Sequence, residues 1–131
     1  MAAGRLFVYG TLMPGQPRWP ALQPYVTSWR AGTAHGRMWD TGRGYPAVRF
    51  DGPGEPIGGD PIPGVVVDLA PGCVAEAVAT LDRIEGEGVL YRRVEVSTSE
   101  GPAMAYAWLG STEGMALLAT GWPKTASPPK A

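Results

Sequence analysis

The chain has 131 residues, a net charge of -1 at neutral pH, one cysteine and one histidine. That length suits a single domain that buries its own core; the lone Cys73 excludes an intramolecular disulfide, and one histidine with one cysteine does not make a structural zinc site. Near-neutral charge with scattered basic residues leaves no electrostatic footprint for nucleic acid or an anionic membrane.

No apolar run approaches the ~20 residues of a membrane span, and the short apolar stretch near the start lacks the pattern of a signal peptide. The expectation is a cytoplasmic protein. Gly (19) and Pro (14) are abundant, which fits a small β-rich fold with many turns better than a helical bundle.

In chain order, Arg5 to Tyr9 (RLFVY) predicts a short buried strand, and Gly10 to Pro17 (GTLMPGQP) a loop. Trp19 to Pro24 reads as one irregular turn. Val26 to Trp39 alternates roughly, as one long curved strand or two shorter ones, with Gly32 and Gly36 as bends or bulges. Tyr45 to Phe50 is a further strand with Pro46 at its beginning or on an edge, and Asp51 to Pro61, dense in Gly, Pro and acid, is an exposed loop.

Ile62 to Leu69 predicts a strong strand that turns through Ala70 to Gly72 into a helix over Cys73 to Ile84. Tyr91 to Thr98 and Ala103 to Leu109 read as two more strands, and Met115 to Leu118 is only weakly apolar. The fold class that follows is α+β, a sheet of about six strands curled into a mixed barrel with one main helix, since closure removes the edges that many short strands would leave exposed. Residues 1–122 form the expected domain, and 123–131 a disordered tail.

Within the predicted helix, Val74, Ala77, Val78, Leu81 and Ile84 recur at the spacings of one face, and Glu85 lies four residues after Leu81 and seven after Val78. Asp82, Arg83 and Glu87 fall off that face, where solvent takes them. A carboxylate on an apolar stripe has to be paired, protonated or used, because desolvation disfavours its charged form. It is either the last polar residue of the helix, turned to water by Gly86, or a functional group; the helix alone does not decide between them.

Several motifs share a family's order and spacing: Val8 to Leu12 (VYGTL), YPAV at Tyr45 to Val48, Ile62 to Leu69, LDRIEG at Leu81 to Gly86, Tyr91 with Arg92 and Arg93, and AYAW at Ala105 to Trp108. The sequence resembles a small bacterial-type member of the γ-glutamylcyclotransferase-like (AIG2-like, γ-glutamylamine cyclotransferase type) family from about residue 5 to 109, and Thr120-Gly121-Trp122 is similar to an element near that family's C-terminus. The resemblance implies a mixed β-barrel flanked by helices, with a pocket between the YGTL loop and the glutamate of LDRIEG. It implies an enzyme that releases 5-oxoproline from γ-glutamyl compounds without a cofactor or metal, with Glu85 as acid/base. Tyr9, Gly10, Thr11 and Leu12 would hold the γ-glutamyl group, and Tyr91 would line the pocket. The continuation MPGQPRW departs from many relatives near Arg18, which bears on the leaving-group side of the pocket.

The residue types suit that chemistry. In a γ-glutamyl amide the substrate's own α-amine attacks the γ-carbonyl, so the nucleophile is already tethered and neither Ser nor Cys is required. One carboxylate of raised pKa can accept the ammonium proton and return it to the departing amine, while backbone N–H groups of a Gly-containing loop can hold the oxyanion, with Gly10 permitting close approach and unusual dihedrals.

The remaining candidates have plainer readings. His35 stands alone on a strand-like segment as a packed or surface residue. Cys73 lacks a basic partner and reads as structural. Trp19, Trp29, Trp39, Trp108 and Trp122 are mostly core or barrel-capping residues, and Arg92 and Arg93 pair with acids at the surface or with a substrate carboxylate. Two functions stand: a cyclotransferase acting on γ-glutamyl amines or amino acids, and a module that binds a small γ-glutamyl-like metabolite in the same pocket without turning it over. Neither involves nucleic acid or membrane. The oligomeric state is not set by the sequence.

Overall fold

The computed structural model describes residues 4–51, 59–118 and 121–122. Its strands are β1 (Arg5–Val8), β2 (Val26–Asp40), β3 (Pro46–Phe50), β4 (Asp60–Leu69), β5 (Tyr91–Thr98), β6 (Gly101–Trp108) and the short β7 (Ala116–Leu117); its helices are α1 (Trp19–Leu22) and α2 (Val74–Glu85). β1 neighbours β4 on one side and β6 on the other, antiparallel to the first and parallel to the second. β4 runs on to β2 and β6 to β5, and a β2–β5 pairing at Ala34 and Thr98 closes the ring. The result is the expected α+β mixed barrel, closed around β2, β4, β1, β6 and β5, with β3 and β7 added along the far half of β2.

β1 shows why the sheet closes here. Leu6 and Val8 pack under the helices with Leu22, Ala77 and Leu81, while Phe7 and Tyr9 point into the barrel with Phe50, Met38 and Val66. A strand covered on both faces needs the continuous apolar run that RLFVY supplies, rather than alternation. Inside, Phe7 and Phe50 meet edge to face at 6.1 Å.

Four features differ from the sequence reading. The segment after Pro17 is not an irregular turn but α1 followed by a single tight turn at Gln23–Tyr25, with Pro20 and Pro24 at first-turn positions where a missing N–H costs nothing. β2 is one strand of 15 residues, and its register shift lies between Val26 and Ser28, not at Gly32 or Gly36. β7 exists only through its pairing with Trp39 and Asp40, which two residues cannot announce. Trp29 is half exposed rather than core, edge-on to Trp19. Most of the Asp51 to Pro61 loop and the 123–131 tail lie outside the described residues, as does Thr120; Asp60 and Pro61 open β4.

α2 buries Ala77, Leu81 and Glu85 at successive four-residue steps. Leu81 is fully buried, so Leu81→Ala would cost about 2–5 kcal/mol. The helix stops because Gly86 adopts a left-handed conformation (φ 65°), and the Glu87 N–H closes on the Asp82 carbonyl at 2.9 Å. That sharp stop keeps Glu85, the last helical residue, on the buried face. No helix among the described residues is long and apolar enough to cross a membrane.

Candidate active site

At one end of the barrel, the loop leaving β1, the starts of β3 and β5 and the last turn of α2 surround a pocket of about 360 Å³, counted out to its open mouth. Its walls include Tyr9, Gly10, Thr11, Leu12 and Tyr91, with Glu85 among them. The structure thus brings together all six residues singled out from the sequence. Phe7, Val8, Arg18, Tyr45, Pro46 and Tyr106 complete the lining.

Glu85 is 7 % exposed. Its Oε2 accepts a hydrogen bond from Arg18 Nη1 at 3.1 Å, while Oε1 accepts none among the described residues. Burial pushes the carboxyl above its ordinary range; the Arg18 charge and hydrogen bond pull the other way without cancelling the rise. The carboxyl face of the pocket is therefore a group that holds a proton more readily than a surface glutamate does.

In the same lining, the loop after β1 bonds to itself through its carbonyls. Met13 N–H donates to Gly10 O at 3.0 Å and Arg18 N–H to Thr11 O at 2.8 Å. The N–H groups of Gly10, Thr11 and Leu12 donate to no acceptor among the described residues. Backbone donors at a buried wall without partners are costly unless something else occupies them. Gly10 does not adopt a left-handed conformation; what requires glycine there is Pro46, whose Cγ and Cδ would lie 2.7 and 2.8 Å from an added Cβ. The close approach seen at Gly10 is to the start of β3, and its φ is not positive.

The tyrosines form the frame. Tyr91 hydroxyl donates to Pro46 O, and its ring stands edge-on to Trp108 at 5.3 Å. Tyr9 hydroxyl donates to Tyr106 O. Tyr106 hydroxyl reaches Asp82 Oδ1 at 2.6 Å, and Arg93 binds the same carboxylate through Nε and Nη2, each at 3.1 Å. Asp82 is therefore tied to the frame and not left to solvent as its place off the apolar face suggested. Partial burial alone would raise its pKa, but the bonds from Arg93 and Tyr106 hold it below the usual carboxylate range. All three tyrosines have raised pKa values, from burial first and from neighbours including Glu85, and stay neutral phenols.

The model of the family described as gamma-glutamyl cyclotransferase, AIG2-like, matches residues 6–124. The chain belongs to that family. Among solved structures, an AIG2-like protein from Mus musculus superposes with a TM-score of 0.67 at 17 % identity, covering 92 % of this chain and 88 % of that one. A uropathogenic Escherichia coli-specific protein gives 0.64 at 19 % identity (91 % and 90 % covered), and protein ytfP from Escherichia coli 0.56 at 23 % (90 % and 94 %). At such identities these likenesses carry the fold alone. No curated protein matches the sequence.

Within the family motifs, YPAV was recognisable but its placement in the pocket was not: Tyr45 and Pro46 come to the site from the β2–β3 turn. The contacts of Arg18 and Tyr106 had no local signal either, since their partners Glu85 and Asp82 are 67 and 24 residues away. His35 lies exposed on β2 and Cys73 at the start of α2, neither in the pocket. Among the described residues no group of His, Cys, Asp and Glu is arranged to hold a metal ion.

Proposed function

We propose that the protein is a γ-glutamyl cyclotransferase, catalysing intramolecular aminolysis of a γ-glutamyl amide to 5-oxoproline and a free amine. What chiefly supports this is that one pocket is lined both by a buried carboxyl with an unpartnered oxygen and by a loop with three unpartnered N–H groups. Family membership points the same way.

In this reading the ionised Glu85 takes a proton from the substrate's α-ammonium through Oε1. The freed amine nitrogen attacks the γ-carbonyl carbon, the new C–N bond closes the five-membered ring, and the carbonyl electron pair moves onto oxygen. The N–H groups of Gly10, Thr11 and Leu12 are fixed before the reaction and stabilise that oxyanion. As the tetrahedral intermediate collapses, the oxyanion re-forms the carbonyl, Glu85 returns the proton to the departing nitrogen and the old C–N bond breaks. The ring nitrogen gives its second proton to the vacated Glu85 carboxylate, which passes it to the departing amine. A raised pKa suits a group that must both accept and release a proton near neutrality. Tyr91 and Tyr9, their hydroxyls held by backbone carbonyls, shape the wall without titrating.

The test is incubation with a panel of γ-glutamyl amines and γ-glutamyl amino acids, following 5-oxoproline chromatographically. Release from at least one substrate, abolished by Glu85→Gln, is the expected result. Tight binding of γ-glutamyl compounds with no release from any would replace the enzyme by a binding module.

A further inference from the structure

Arg18 donates only through Nη1, to Glu85 Oε2 at 3.1 Å and to Ile84 O at 3.3 Å. Its Nε and Nη2 donate to nothing among the described residues. It is also the one cationic side chain among the described residues that line the pocket. The two members of the pair differ in depth: the Arg18 side chain is 41 % exposed and that of Glu85 8 %. The guanidinium stands at the mouth, beside a carboxyl that lies within.

We propose that Arg18 makes the site select γ-glutamyl substrates whose departing amine carries a carboxylate, γ-glutamyl amino acids, over γ-glutamyl amines that lack one. This rests on the cyclotransferase reading. The half of the substrate that becomes the lactam has to lie inside, against the loop N–H groups; the departing half is the part that reaches the mouth. In a γ-glutamyl amino acid the second carboxylate sits one carbon from the departing nitrogen. That nitrogen must come within hydrogen-bond reach of Glu85 to be protonated, which brings its carboxylate to the guanidinium on Glu85's other oxygen. A guanidinium has five N–H donors in a planar fork, so Arg18 can keep Nη1 on Glu85 while Nε and Nη2 take a second carboxylate. Arg93 on β5 is already committed to Asp82.

The experiment compares kcat/KM for γ-glutamyl-alanine with that for γ-glutamyl-ethylamide, which differ only in that carboxylate, for wild type, Arg18→Gln and Arg18→Lys. Wild type is expected to prefer the alanine compound by about tenfold to a hundredfold, the range for losing hydrogen bonds to a charged group. Arg18→Gln collapses the preference to near unity, and Arg18→Lys keeps part of it. Both substrates are assayed on the same preparation, so a reduced folded fraction cancels from the ratio. Equal efficiency on the two substrates in wild type overturns the proposal. So does a loss in Arg18→Gln that is the same for both, as it would be if Arg18 only held Glu85 or gripped the α-carboxylate common to both. In those cases release of 5-oxoproline leaves the cyclotransferase reading standing; release from neither substrate overturns the selectivity proposal, and release from no member of the wider panel overturns the cyclotransferase reading as well.

Discussion

Glu85→Gln separates a proton role from a binding role. The amide has nearly the volume of the carboxyl, and its carbonyl can still accept from Arg18 Nη1 where Oε2 now does, at 3.1 Å. Affinity for a γ-glutamyl ligand or 5-oxoproline, read by calorimetry, should stay within a small factor. Turnover should fall by about 10²–10⁴, or about 3–5 kcal/mol on the barrier, because an amide can neither take the ammonium proton nor return it. Burial, outweighing Arg18, sets the Glu85 pKa above the ordinary value. The acid limb of wild-type kcat should therefore lie above that of an ordinary glutamate and be missing from any residual Gln activity. The same shift fixes a stability signature. A carboxyl whose pKa is raised on folding contributes stability that is complete below the unfolded pKa and lost as pH rises through the folded one. The melting temperature of Glu85→Gln relative to wild type should thus improve from acid to neutral pH. The exposed Glu87→Gln is the control and should change neither property. Normal turnover in the Gln variant, or a relative melting temperature that falls as pH rises, would refute the reasoning.

Gly10→Ala sets a Cβ 2.7 Å from Pro46 Cγ and should cost about 1–3 kcal/mol, with weaker binding of 5-oxoproline as the loop shifts; an unchanged melting temperature would remove that contact from the account. Asp82→Ala strips the acceptor from Tyr106 and Arg93 and should cost about 1–2 kcal/mol at neutral pH, for a charge-assisted bond at a partly exposed site. Because the folded pKa of Asp82 is depressed, that contribution is present above the unfolded pKa and lost as pH falls through the folded one, so wild type and variant should converge in acid melts. Arg18→Gln, assayed on γ-glutamyl-ethylamide, removes the charge that opposes burial at Glu85, so its acid limb should move to higher pH; a limb that stays in place would mean that Arg18 does not set this ionisation.

How much the sequence shows depends on whether a residue's reason for being there is local. RLFVY and the Ala77, Leu81, Glu85 spacing lie within a few residues, so β1 and α2 follow from pattern alone, while for Glu85 the spacing pointed to the buried face without deciding whether Gly86 turned it to water. The left-handed stop at Gly86 is equally local, a glycine just after the last periodic residue. The rest is set by contacts across the chain. β7 is two residues that become strand only beside β2, and Asp82 has a polar place on the helix but a partner, Arg93, on β5. Gly10 was legible as a glycine that lets backbones approach, yet nothing near it named Pro46 as the neighbour.

The placement of the carboxyl explains why Arg18 belongs in the same argument. Glu85 ends a helix, where the last carbonyls leave a partial negative charge that disfavours a second one. Burial adds to that penalty. A single guanidinium group meets both: Nη1 lies between the Ile84 carbonyl and the Glu85 carboxylate, one of the helix's last unpaired acceptors and the acid itself. Because Arg18 comes from the same loop as the unpartnered N–H groups, the β1 loop brings the proposed oxyanion donors and the counter-charge of Glu85 into the pocket together. Displacing that loop should therefore affect proton transfer as well as oxyanion stabilisation, a coupling that a site with independently held parts would not have.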